Sequence, residues 1–291
     1  MTEFFSDIAA FGFLQRALLT SIVVGAMCGV LGCFIVLRGL ALMGDAISHA
    51  VLPGVAISFM LGISYFYGAI AFGILTALGI GFISQNSRVK NDAAIGIVFS
   101  AFLALGIILV TEARSAADLM QILFGDILAV RPSEMWTTLT VAAVCLLVLT
   151  VFYKELVVSS FDPVMARVYG LPVKAIHYAL MVMLTLVTVS SLQAVGVILV
   201  VALLITPASA AYLLTNRLST MIVIAATLGA VSAVTGMYAS FVYNITSGAA
   251  IVLAASVLFA LALLFSPSQG WLVQATRTLA ARRRTSQTGS R

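Results

Sequence analysis

The chain has 291 residues, 62% of them hydrophobic and only 9% charged, with a formal net charge of +5 and a mean hydropathy of +1.17. That balance excludes a water-soluble enzyme. A bilayer-spanning helix needs about 20 mostly apolar residues, so the length accommodates roughly nine spans with about 110 residues left for loops and tails.

Uninterrupted apolar stretches fall at 17–37, 40–62, 65–84, 93–111, 136–153, 176–192, 195–214, 220–243 and 249–265. The reading is an all-α polytopic membrane protein of nine spans, or eight if the polar groups within 38–62 keep that stretch from crossing fully. The first stretch follows Glu3 and Asp7 with no basic segment before it, so it is expected to persist rather than be cleaved as a signal peptide. Cys28, Cys33 and Cys145 all lie in apolar runs and suggest no disulfide framework. Cys28 and Cys33 are five residues apart, about 140° around a helix, which rules out a shared soft-metal chelate.

The second stretch carries the most informative segment, MGDAISHAVLPG at 43–54. Ionisable groups at membrane depth are costly and normally face the bundle interior or an aqueous path. Asp45 and His49 are four residues apart and therefore about 40° apart on one helix face, where they can share a ligand. A carboxylate oxygen with an imidazole nitrogen suits manganese, iron or zinc. Two ligands do not complete a shell, so either a symmetry mate adds a second pair, or water and other side chains fill it. The competing structural reading is that the two residues pair with each other and hold helices together.

Pro53 lacks an N–H and so frees the carbonyl of His49, while Pro207 does the same for Leu203 in the seventh stretch. Ser48, Pro53, Thr206, Pro207 and Ser209 are the candidates for lining a path beside the pair. The two proline-bearing spans run in opposite directions, as an inverted repeat requires, although no tandem period is visible. Between the fourth and fifth stretches, SAADLMQILFGDILAV at 115–130 is helix-like but too short and acidic to cross, and is expected at the outer surface or as a re-entrant piece. Ser190, Ser191 and Gln193 read as a turn at the outer junction of the sixth and seventh spans. His177 reads as a solvated interfacial residue.

The loop 154–174 contains SSFDPVMARVYGLP. Asp162 can cap a short helix over 163–169, Pro163 suits its first turn, and Gly170 suits its end. Val164, Met165, Val168 and Tyr169 would then form an apolar docking surface beside Arg167, unless the loop packs on its own helix ends. Placing the N-terminus outside and the C-terminus inside puts 12 of the 15 basic residues in the cytoplasm, leaving only Arg16, Arg114 and Arg131 outside. The basic segment 271–291 reads as a disordered tail near anionic headgroups rather than a nucleic-acid arm. The three lysines, Lys90, Lys154 and Lys174, do not belong to a phosphate-binding loop, so the chain is not its own ATPase. Zincin and nucleophile-elbow motifs are also missing.

VLRGLALMGDAISHAVLPGVA, FDPVMARVYGLPV and GVILVVALLITPASAA resemble, in order and spacing, the permease subunit of bacterial ABC importers for manganese, zinc and iron. The resemblance runs from about residue 11 to 266 and excludes the basic tail. It implies a bundle of the type II ABC importer kind in the bacterial cytoplasmic membrane, without a covalent cofactor. Two permease chains would pair with two cytoplasmic ATP-binding subunits and receive metal from an external lipoprotein. Asp45 and His49 match the family's intramembrane metal pair. Asp162, Pro163, Met165, Arg167, Tyr169 and Gly170 fall in the segment that matches its coupling helix. Manganese is the favoured cargo within that family. Metal capture requires neutral His49 and ionised Asp45, so uptake should weaken in acid. A proton-coupled secondary metal transporter, and a membrane-embedded enzyme or structural subunit, are the alternatives.

Overall fold

The computed structural model describes residues 10–112 and 127–266. The first span is α1 (Gly12–Leu37), and the second is divided into α2 (Leu42–Ala50) and α3 (Leu52–Leu61). Next come α4 (Tyr65–Asn86), α5 (Asn91–Glu112), a single 3-10 turn (Ile127–Ala129) and α6 (Pro132–Val151). Two short helices, α7 (Tyr153–Phe161) and α8 (Pro163–Val168), lead to α9 (Val173–Val195), α10 (Val197–Leu214), α11 (Leu218–Tyr243) and α12 (Ser247–Phe265). Among the described residues there are nine helical spans long and apolar enough to cross a bilayer, with α2 and α3 counting as one. The 271–291 tail lies outside the described residues, as does most of 115–130. Of the latter only the 3-10 turn and Val130 are described, with Ile127 and Val130 buried.

Ser190 and Ser191 do not form a turn. They are buried near the end of α9, which continues to Val195 and breaks only at Gly196, where φ is +83°. The Ser190 hydroxyl donates to the Val187 carbonyl at 3.1 Å, and Thr138 of α6 donates to the Ser190 carbonyl at 3.2 Å. Without water to compete, a serine that returns its proton to its own helix is compatible with that helix. The hydroxyls of Ser21, Thr76 and Ser232 do the same, each at 2.7 Å from the carbonyl four residues earlier.

Hydrocarbon gives helices little hydrophobic reason to associate, so close packing of small residues supplies much of the contact energy. Gly25 and Gly29 of α1 meet Gly229 and Ala225 of α11, small residues spaced by four on both sides. A methyl group on Gly25 would lie 2.5 Å from the Gly229 carbonyl oxygen. Gly32 of α1 meets the Leu204 carbonyl of α10, so α1 is held by the C-terminal helices rather than by its chain neighbours. On the other side, Gly73 and Gly81 of α4 receive Thr185, Tyr178 and Met181 of α9.

These packings obey a symmetry. Exchanging α1 with α9, α2/α3 with α10, α4 with α11 and α5 with α12 converts the packing of α1 on α11 and α10 into that of α9 on α4 and α2. The triplet α2/α3, α4 and α5 becomes the triplet α10, α11 and α12, and α6 touches both α1 and α9. An offset of five crossings inverts one half relative to the other, which is the repeat that the two prolines suggested.

The Gly25–Gly229 crossing yields a direct test. Gly25→Ala is expected to lower the thermal midpoint in detergent by about 2–10 °C, from an overpacking cost of about 1–3 kcal/mol. Gly248→Ala, whose added carbon meets open space, is the control, and equal midpoints for the two variants would contradict the close crossing.

Candidate metal centre and coupling helix

α2 is packed by α5, α9, α4 and α10. Met43, Gly44, Ile47 and Ser48 form its buried side, with Gly44 against the Leu204 side chain and the Ser48 hydroxyl donating to the Gly44 carbonyl at 2.9 Å. Asp45 and His49 are rotated away from that side. Their side chains are 50% and 38% exposed on the flank of the chain, and His49 Nε2 lies 3.6 Å from Asp45 Oδ1. That separation is too long for a good hydrogen bond, so neither group is committed to the other. The ring of Phe99, on α5, stands edge-on to His49 at 5.9 Å between centroids. Both residues project from a single helix and remain open, so they do not hold two helices of this chain together.

An exposed carboxylate within a membrane span is costly, up to about 2.5–3.5 kcal/mol at the helix centre on permissive insertion scales, so this flank has to meet protein or water rather than lipid. Among the described residues, no group of three or more His, Cys, Asp and Glu side chains exists, so no third such ligand joins the pair. The inverted repeat does not supply one either. Aligning Pro53 with Pro207 sets Leu199 opposite Asp45 and Leu203 opposite His49.

The remaining path candidates are placed differently. Pro53, at the second residue of α3, is buried with its ring against Gly106 of α5, and Val51 beside the break keeps near-helical angles (φ −78°, ψ −13°). Pro207 is buried inside an unbroken α10, and Thr206 and Ser209 are half-buried there. The structure therefore brings Asp45 and His49 together on an open flank. Ser48, Pro53 and Pro207 instead lie within the packing of the single chain.

The short helix expected at 163–169 is α8, one residue shorter at its end. Asp162 Oδ1 accepts the backbone N–H groups of Val164 (3.0 Å) and Met165 (2.9 Å). Gly170, at φ +76°, ends it with N–H bonds from Gly170 to the Arg167 carbonyl and from Leu171 to the Ala166 carbonyl, both 3.0 Å. Ala166 is fully buried and seats the helix, whereas Val164, Met165, Val168 and Tyr169 are 46–75% exposed. Arg167 Nε donates to the Pro163 carbonyl at 3.2 Å. Beside α8 a cleft of about 810 Å³ is lined by Arg38, Gln85, Asn91, Arg167, Lys174 and His177. His177 is thus a half-buried cleft residue rather than a freely solvated one.

Sequence reasoning missed α7, and with it the partners of Arg38. Phe152 interrupts the fifth span, and α7 then turns Leu156 and Ser159 inward. Arg38 donates from Nη2 to the Ser159 hydroxyl (2.6 Å) and from Nε to the Ser160 hydroxyl (3.0 Å). The available signal was an arginine ending an apolar run and a Ser-Ser pair one turn before Asp162.

The ABC 3 transport family model matches residues 10–266. The manganese transport system membrane protein MntC of Listeria monocytogenes is 61% identical over 274 residues, covering 94% of this chain and 98% of that protein. The chelated iron transport system membrane protein YfeD of Yersinia pestis is 43% identical, covering 90% of this chain and 88% of that protein. The solved structure of PsaBC from Streptococcus pneumoniae in complex with Fab aligns with a TM-score of 0.83 at 51% identity, covering 93% of this chain and 98% of the matched one.

The cap of α8 can be probed by itself. Asp162→Ala should speed hydrogen exchange at the Val164 and Met165 amides about fivefold, from a capping loss of about 1 kcal/mol. Unchanged exchange at both amides would show that the carboxylate does not hold the helix start.

Proposed function

The chain belongs to the ABC 3 transport family, and from that membership we propose that it is the membrane permease subunit of an ATP-driven importer of divalent transition metal ions, with manganese as the main cargo. One observation carries the site assignment. A carboxylate and an imidazole lie open and uncommitted to each other on the flank of an apolar span, and the described part of the chain offers them no third His, Cys, Asp or Glu.

The flank that has to be covered becomes the interface with a second permease copy. The two-fold then brings a second Asp45 and His49 to the same ion and gives a four-ligand shell of oxygen and nitrogen donors, suited to manganese or iron and of use for zinc. Its cargo arrives from an external metal-binding lipoprotein, crosses between the copies, and leaves on the cytoplasmic side. Manganese is favoured because the 61% identical relative is a manganese transport protein. The iron-transport relative, at lower identity, keeps iron as the second cargo.

ATP hydrolysis resides in a separate cytoplasmic subunit, onto which Val164, Met165, Val168 and Tyr169 of α8 dock. This orientation sets the protein in the bacterial cytoplasmic membrane with its N-terminus outside, and it gathers Arg38, Arg167 and Lys174 on the cytoplasmic face as the distribution of basic residues requires. Nucleotide binding in the partner shifts the paired chains between outward and inward openings, and α8 is the element through which the two are linked.

Two results check this reading. Asp45→Ala or His49→Ala should abolish manganese uptake by cells while the permease still co-purifies with its ATP-binding subunit; normal uptake by both variants would defeat the site. Met165→Glu with Tyr169→Glu should remove the ATP-binding subunit from the purified complex at unchanged permease yield, and undiminished co-purification would defeat the docking assignment.

A further inference from the structure

We propose that Arg38 is the positioning residue that carries the movement of the coupling helix to the metal-binding helix. This role rests on the transport function proposed for the chain. Three features that meet at one point support it.

The first is the bond itself. Arg38 is half-buried and reaches across to α7 with two nitrogens, Nη2 to Ser159 at 2.6 Å and Nε to Ser160 at 3.0 Å. Both serine hydroxyls donate their own protons to the Leu156 carbonyl, at 3.2 and 2.6 Å, so their lone pairs are aimed at the guanidinium. Two charge-assisted bonds fix a planar group in direction as well as position. No carboxylate forms an ion pair with Arg38 among the described residues.

The second feature is the short connection from the serines to α8. Ser160 is two residues from Asp162, whose carboxylate caps α8, so a displacement of α8 displaces Arg38's partners directly. The third is the corner between Arg38 and α2. Gly39, at φ +66°, donates to the Val36 carbonyl at 3.1 Å, Leu40 donates to that of Ile35 at 3.0 Å, and Met43 donates to that of Leu40 at 2.9 Å. Leu40 is buried at 1% exposure. The chain from Arg38 to the first turn of α2 is therefore a stiff corner held by backbone hydrogen bonds, and Asp45 is seven residues beyond the guanidinium-bearing residue. This one side chain joins the end of α1 to α7 through paired charge-assisted bonds, and each end of the link leads to one of the two sites.

The test uses the complete permease and ATP-binding complex in proteoliposomes, with manganese uptake and ATP hydrolysis measured together. Arg38→Ala, and Ser159→Ala with Ser160→Ala, should each leave co-purification intact and ATP hydrolysis within about twofold, while manganese transported per ATP falls about tenfold, as expected for losing charge-assisted bonds. The triple variant should be no worse than Arg38→Ala, since all three residues belong to one link. Arg38→Lys, which keeps one donor, should recover part of the yield per ATP. Wild-type transport per ATP in Arg38→Ala overturns the proposal. So does a loss confined to expression or thermal stability, or a parallel fall of hydrolysis and uptake. A wild-type complex that hydrolyses ATP yet moves no manganese would instead overturn the transport function.

Discussion

Hydrocarbon offers no partner to a charged group, and the chain answers that constraint in two ways. Many of its hydroxyls return their protons to their own helices, as Ser21, Ser48, Thr76 and Ser232 do. Asp45 and His49 have no such internal outlet and lie half-exposed on the flank of α2. The single chain thus leaves this acidic and imidazole pair open, and its proposed assembly and its proposed cargo both address the same deficit.

The internal symmetry sharpens the point. Helices α1 to α5 and α9 to α12 repeat the same packing in inverted sense about α6, but the polar pair occurs in only one half. Leucines occupy the matching positions in α10. The repeat therefore builds a scaffold without duplicating the site, and in the proposed assembly the second pair of ligands comes from another copy of the chain. The crossing of α1 on α11 through Gly25, Gly29, Ala225 and Gly229 fixes the start of the scaffold to its end. That places the segment leading into α2 on a rigid base.

The parts legible in the sequence were those set by local chemistry. Nine spans followed from hydropathy, and the Asp45–His49 spacing from helix geometry. The ends of α8 followed from Asp162, Pro163 and Gly170, because a cap needs only residues within a few positions. What escaped depended on distant partners. Arg38 was readable only as a topology marker until α7 brought Ser159 and Ser160 to it. Ser190 and Ser191 looked like turn residues because their composition suits loops in water, whereas both are buried in a helix and Ser190 returns its hydroxyl proton to the Val187 carbonyl of that helix. The small-residue spacing of Gly25 and Gly29 stood in plain view, but nothing in the chain alone identified α11 as its mate.

One turn of α2 fixes the distance between a carboxylate and an imidazole, and that bite has little room to change within a chain. If the ion is shared between copies, the adjustable dimension of the coordination shell is the gap across the two-fold axis. Substitutions on the packing surfaces of α2 and α5, remote from any donor atom, would then retune cargo preference by tenths of an ångström. Selectivity in such an architecture drifts through the seam between subunits while the donors themselves stand still.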